Sequence, residues 1–521
     1  MTEVPLEGEF RIERDFIAYA VAGGDYEYVT CLNLLVDGVV VRTVTGMDSE
    51  TPVPGSWNVT DLAGRKAQLQ VRDVQVAHVV QTDDPAVPPV RGPAPYGERH
   101  RPQFHFTARQ FAMQRLNPGM RQEGWLNDLN GLVCYEGEYH LFAQRWNKCW
   151  IHAVSNDLVH WEELEPAFFE EALDIGVQSG SVVIDYGNTS GLSDDAANPA
   201  MVAFWSRNDN QSQCLSYSLD RGRTWQHYPG NPIMVKPERD PKVFRYGSHW
   251  VMFLYGDQQY YILTSTDLLH WTDTGNVIPN SFECPDFFEL PLPDGTRKWV
   301  LVRGDGRYSI GSFDGRQFTE ESDQLRSDSG ANFYATQTWN NTETGDGRRI
   351  QAAWMRDGVY PDMPFNQQVT FPCELTLRPM DGVPRLFRNP IAELATLRSG
   401  TTHWSGKVDL AHQLTTEPAE LDLELETDLP ADVTLTIDVS GTPIDLTRSQ
   451  IGDARLSGRL RTLRVLIDRT SIEVFANDGE VSVSRCYLPT GAGIVLRSTA
   501  AVQVAVDLHT LRSIWESQVT A

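Results

Sequence analysis

Hydrophobic and polar positions alternate along most of this chain. Residues 28–44 (YVTCLNLLVDGVVVRTV), 67–81 (AQLQVRDVQVAHVVQ), 463–476 (LRVLIDRTSIEVFA) and 480–488 (EVSVSRCYL) each switch between apolar and polar side chains and are rich in Val, Ile and Thr. A period of two puts one row of side chains on each face of an extended strand, so strands are predicted nearly throughout. Helical spacing is scarce, and its one short example lies in RLFRNPIAELATLRSG, residues 385–400. The prediction is an all-β protein.

The middle of the chain also repeats. IHAVSNDLVHW ends at Trp161, LSYSLDRGRTW at Trp225, YILTSTDLLHW at Trp271 and IGSFDGRQF at Phe318, each a strand followed by polar turn residues and a terminal aromatic. Intervals of roughly 45 to 65 residues are those of four-stranded propeller blades. The Pro-rich stretch DDPAVPPVRGPAPYGERHRPQ, residues 83–103, reads as a linker. Three domains follow: an N-terminal β module over 1–97, a propeller over 98–384, and a short helix with further strands over 385–521. The N-terminal module, with Trp57, Tyr26 and Tyr28, suits a small β-sandwich with a structural or self-association role ahead of sugar binding.

At 521 residues the chain is too long for one ordinary core. Its 70 acidic against 44 basic residues give a net charge of −26, which disfavours nucleic acid and anionic lipid as partners. The seven cysteines, at 31, 134, 149, 214, 284, 373 and 486, form no CxxC pair of the kind that holds zinc. There is neither a basic-then-apolar start nor a run long enough to span a membrane. A cytoplasmic monomer or homodimer is expected, although the mature form of an exported protein would share these features.

Three acidic motifs carry the chemistry: WLNDLNG around Asp128, ERDPKVF around Asp240 and FECPDFFEL around Glu283. Cleavage of a glycosidic bond uses paired carboxylates, one attacking or activating water and the other protonating the leaving oxygen. A third suits binding of sugar hydroxyls. Any one of these residues alone would more often be a turn former or a solvated acid.

The region from about residue 101 to 521 resembles glycoside hydrolase family 32, the invertases, inulinases and levanases. Beyond the acidic motifs, the resemblance runs through RPQFHFTA, GLVCYEGEYHLFAQ, QSGSVV, NTSGL, GNPIM, NFYATQTW, AAWM, FPCELTL and LRVLIDRTSIEVFANDGE. It implies a five-bladed β-propeller followed by a β-sandwich, and no cofactor or metal. Asp128 matches the family nucleophile, Glu283 its general acid/base and Asp240 the carboxylate that grips fructose hydroxyls. Asn127 and Gln144 match residues that bind the terminal fructose, Trp150 an aromatic wall, and Ser179, Arg239 and Trp354 further pocket positions. Glu473 matches a recurrent family acid and is given no catalytic role.

The implied activity is release of terminal non-reducing β-D-fructofuranosyl residues from sucrose or fructans, through a covalent intermediate on Asp128. Burial and the charge of Asp128 are expected to keep Glu283 protonated. Net fructosyl transfer and a fructan-binding propeller without catalysis are the competing readings, and an inverting family 43 propeller is weaker. The sequence departs from the family pattern at Leu129, Gln178 and Asn332, in an extra stretch FAMQRLNPGMRQEG, and in a shortened loop between Gln144 and Trp150. These changes are expected around the pocket entrance.

Overall fold

The computed structural model describes residues 1–24, 30–46, 49–84, 96–109, 124–145, 149–168, 176–195, 197–207, 212–341, 347–361, 363–416, 420–491 and 493–515. Tyr26, Tyr28, most of the FAMQRLNPGMRQEG stretch and part of the shortened loop lie outside them.

Among the described residues, the N-terminal module is a pair of four-stranded antiparallel sheets. Strands Phe16–Gly23 and Cys31–Val36 supply inward rows, including Ile17, Tyr19, Leu32 and Leu34, to a shared core. Trp57 is fully buried there, its ring 4.8 Å from that of Tyr19. It is a packing residue, not a platform for sugar.

The expected linker is shorter than residues 83–103. From Tyr96 onward the chain is built into the body of the molecule: Tyr96 stacks on Trp515 at 3.9 Å, and Arg101 is 1% exposed. A polar stretch becomes structural here because its charge is matched within it, the Arg101 Nε donating to Glu98 at 2.9 Å.

Five antiparallel sheets follow as propeller blades, starting with strands Leu129–Tyr135, Val177–Ile184, Arg239–Tyr246, Asp286–Pro291 and Tyr334–Thr338. The ring closes where the first and fifth blades meet: Cys134 N donates to Asn340 O at 2.9 Å and Asn340 N to Leu132 O at 2.8 Å. The sequence repeat has a physical cause. In three blades a Ser hydroxyl donates to an Asp two residues on, Ser155 to Asp157, Ser218 to Asp220 and Ser265 to Asp267, at 3.1, 2.8 and 3.1 Å. Each Asp then accepts backbone N–H groups of the turn, as from His160, Thr224 and His270 at 2.8 Å. The aromatic that ends the repeat covers the turn, and Trp271 Nε1 donates back to Leu268 O at 2.9 Å.

The expected boundary at 384/385 is displaced. Strand Val383–Pro390 pairs along its length with Cys373–Met380, so residues 385–390 finish the fifth blade. The helix signal is a 3-10 helix, Ala392–Leu397, that buries Leu394 and Leu397. Two six-stranded sheets then form a sandwich around Leu423, Val465, Val474, Leu496 and Val504.

Candidate active site

Residues of the acidic motifs converge at one end of the propeller axis, where the inner strands begin. Ordinary strand alternation does not aim them there. The register slips between Asn130 and Val133, Val177 and Gly180, Arg239 and Lys242, and Tyr334 and Gln337, a bulge near the start of four inner strands. Bulges re-aim side chains and add local twist. Asp240 and Cys284, each followed by proline, and Ala335 hold φ of 60°, 42° and 44°, a region that side chains avoid unless their surroundings hold them there.

Asp128 sits at the head of the first inner strand. Its Oδ2 accepts from Ser179 Oγ at 2.6 Å, which in turn accepts from Gln144 Nε2 at 2.6 Å. Asn127 Nδ2 donates to Gln144 Oε1 at 2.7 Å, and Trp125 Nε1 to Asn127 Oδ1 at 3.1 Å. Four side chains thus fix the orientation of one carboxylate. Asp240, 6% exposed, accepts from the Cys284 backbone N–H at 3.0 Å. The Cys284 thiol stands 3.7 Å from Asp128 Oδ2 and 3.8 Å from Asp240 Oδ2, which ties the first two carboxylates to the residue beside Glu283.

Burial raises Asp128, with the Ser179 hydroxyl opposing it and the charge of Glu283 adding to it. Burial raises Asp240 further, to about 7, against the pull of the Arg239 guanidinium. Cys284 is pushed well up by burial and by the neighbouring carboxylates, so it stays a thiol and a donor. Glu283, which burial was expected to help keep protonated, is less enclosed than Asp240. Its side chain is 28% exposed and held between the Arg239 guanidinium and the Tyr334 hydroxyl. The heavier burial falls on Asp240.

Arg239 is 47% exposed and lies 5.2 Å over the ring of Tyr255. Trp354 is half-buried beside Tyr334 at 5.9 Å, its indole N–H donating to Gln367 at 2.9 Å. Asn127, Gln144, Ser179, Arg239 and Trp354 are therefore brought together with the carboxylates. Trp150 is not. It is fully buried in the core between the first two blades, and its indole donates to the Gln178 backbone at 3.1 Å. An aromatic at a strand start serves core or pocket alike; here the bulged neighbour strand leaves its ring facing Phe168.

Of the departures from the family pattern, Leu129 does not sit at the pocket entrance as expected, whereas Asn332 reaches its rim. Leu129 is fully buried in the core, away from any entrance. Asn332 accepts from Cys486 N at 2.8 Å and donates to Arg356 O at 2.5 Å, tying the C-terminal sandwich to the pocket rim. Three site residues were not singled out from sequence: Trp125, Tyr334 and Arg356, the last stacking 4.7 Å over Tyr334. Trp125 and Tyr334 lie inside recognised motifs; no sequence signal marks Arg356. Glu473 lies away from the carboxylates, fully buried against His105 and Arg388.

Acidic side chains oriented by amides and a hydroxyl, with indoles and a guanidinium around them, at the mouth of a five-bladed propeller define a carbohydrate-cleaving hydrolase. Comparison with known proteins agrees. The model for the glycosyl hydrolases family 32 N-terminal domain matches residues 120–390, and that for the family 32 C-terminal domain matches residues 393–512. A levanase of Bacillus subtilis is 31% identical over 81% of this chain and 72% of its own length. A levanase of Bacillus sp. is 32% identical over 81% of this chain, which spans 53% of that protein. An extracellular exo-inulinase of Aspergillus niger is 27% identical over 81% of this chain and 96% of its own. The crystal structure of exo-inulinase from Aspergillus awamori superposes with a TM-score of 0.70 at 24% identity, covering 81% of this chain and all of that one.

The chain belongs to glycosyl hydrolase family 32, the fructan and sucrose hydrolases. It is a glycosidase with a carbohydrate substrate.

Proposed function

We propose that this enzyme releases terminal non-reducing β-D-fructofuranosyl residues from fructans or sucrose with retention, using Asp128 as nucleophile and Glu283 as acid and base. One observation carries the reading: Asp128 and Asp240 both lie within 4 Å of the Cys284 thiol, next in sequence to Glu283, at one channel mouth. Asp128 is also near enough to Glu283 to feel its charge, and a nucleophile and an acid held close together suit attack by Asp128 itself rather than by an interposed water. Asp128 attacks the anomeric carbon while Glu283 gives its proton to the leaving oxygen. Water then adds with Glu283 taking the proton back, and Asp128 is freed.

Each neighbour has a part in this. The Ser179 and Cys284 donors favour the Asp128 carboxylate as it leaves the sugar. Tyr334 and Arg239 hold Glu283 in line with the leaving oxygen. Asp240, titrating near 7, accepts or donates to ring hydroxyls. The levanase and exo-inulinase names of the relatives favour a fructan over sucrose.

The test is product analysis from sucrose, inulin and levan, with Asp128→Ala as control. Free fructose is expected from at least one substrate, with the variant slower by a factor on the order of 10⁴ or more. Longer or cyclic products would move the reading to transfer. Silence on all three substrates would overturn it.

A further inference from the structure

The propeller channel opens a second time, at the end away from the carboxylates. Inner strands Val177–Ile184, Arg239–Tyr246 and Asp286–Pro291 begin near Ser179, Asp240 and Glu283 and end in the wall of a cavity of about 670 Å³. Strands of this length, at about 3.3 Å per residue, separate the two sites by roughly 20 Å. Between them lies the buried ion pair of Lys242 and Asp286, at 2.6 Å. Lys242 Nζ also donates, at 3.3 Å, to Asn340, which lines the cavity. The pair interrupts the channel, so a sugar held at Asp128 does not thread through to the cavity.

We infer that this distal cavity is a second carbohydrate site, holding a neutral segment of the fructan outside the catalytic pocket. The inference rests on the fructan reading above. Its volume falls in the range of ligand sites, about 300–1,000 Å³. Its wall combines rings with planar hydrogen-bonding groups, the mixture that suits a sugar's C–H face and its hydroxyl edge. Tyr186 is 50% exposed at the rim, where Asn341 Nδ2 donates to its hydroxyl at 2.7 Å. Trp299 and Tyr246 are half-buried, their rings 5.9 Å apart.

The guanidiniums in the wall are anchored rather than massed for an anion. Arg297 pairs with Glu289 at 2.5 Å. Arg245 donates to Gly247 O at 3.1 Å and lies 4.9 Å over the Trp250 ring. An enzyme that removes one terminal unit at a time leaves the rest of a polymer free, and holding it elsewhere raises the local concentration of chain ends.

The test is retardation of the full chain in gels containing inulin or levan, in an Asp128→Asn background that stops hydrolysis and with fructose saturating the catalytic pocket. Tyr186→Ala should weaken retention about three- to tenfold, as loss of one ring contact does. With Asp128 restored, Tyr186→Ala should raise KM for the polymer by a similar factor and leave sucrose kinetics unchanged. Trp299→Leu, checked for an unchanged Tm because Trp299 stacks on Phe287 at 4.6 Å, should act in the same direction. Retention equal to the parent, or displaced by inorganic phosphate but not by fructo-oligosaccharides, would overturn the inference. Failure of the wild type to cleave any fructoside would defeat the proposed reaction instead, and the gels would still report whether the cavity holds the polymer.

Discussion

Asp240 is 6% exposed, keeps close company with Asp128 and titrates near 7 instead of its ordinary 3.8. Between those two values the folded protein keeps a proton that the unfolded chain has lost, so this residue's contribution to stability falls as pH rises through the window. Asp240→Asn should therefore raise the Tm at about pH 8, by the equivalent of about 1–4 kcal/mol, with the gain shrinking toward about pH 5. Fructose release should drop on the order of a hundredfold or more at both pH values. A variant no more stable than its parent at the higher pH would show that Arg239 already offsets the burial. At this scale the sequence was informative through combination: Asp128, Asp240 and Glu283 stand out because three acidic motifs occur together in the order of one family, whereas any one of them alone would pass for a turn residue. It misplaced Trp150 because an indole packs equally well in a core and in a pocket wall, and neighbouring residues do not say which. It passed over Arg356 because a guanidinium reaches the site only through the path of its loop.

The inner strands were predictable as strands, since Val, Ile and alternating polarity mark them, but their bulges were not. A one-residue slip in register leaves the pattern of apolar positions nearly intact while it turns a catalytic side chain toward the channel. Gly131 occupies the slip in the first blade, with φ of 56° and with Val182 standing only 2.3 Å from where a Cβ would fall. Gly131→Ala should cost about 2–4 kcal/mol, from overpacking together with a disfavoured φ. Because Asn130, next in the chain, accepts from Gly180 N at 3.1 Å beside Ser179, the same change should lower kcat by moving the partner of Asp128. Gly137→Ala is the matched control: φ is 79°, yet nothing lies within 4 Å, so only the conformational part, about 1 kcal/mol, should remain. Paired unfolding curves for the two variants check this, and equal losses would remove the steric explanation.

The joining of propeller to sandwich was the least legible feature, because it depends on polar residues from segments hundreds of positions apart. His105, in the motif RPQFHFTA, is fully buried between Asp468 and Glu473, each 2.9 Å from a ring nitrogen. Glu473 also faces Arg388 of the fifth blade at 3.5 Å and accepts from Phe371 N at 2.7 Å. The family resemblance identified Glu473 as recurrent; the structure gives it a reason, that of binding two domains. Burial lowers His105, but hydrogen bonds and charges from both acids outweigh it and raise the group to about 9. A raised histidine contributes stability that is complete below its unfolded value of 6.5 and is lost as pH rises through about 9. His140 and His152 act in the opposite sense: burial lowers His140 to about 4 and His152 well below 6.5, so their contribution is lost as pH falls below 6.5. His105→Gln should lose about 3–5 kcal/mol near pH 6, where it leaves two buried carboxylates without their cation. The deficit should narrow as pH approaches about 10, because there the wild-type ring has also given up its proton. Tm measured across that range for both proteins decides it. A deficit independent of pH would mean that His105 joins the domains as a neutral hydrogen-bonding ring, and the alkaline loss of stability would then have to arise elsewhere in the molecule.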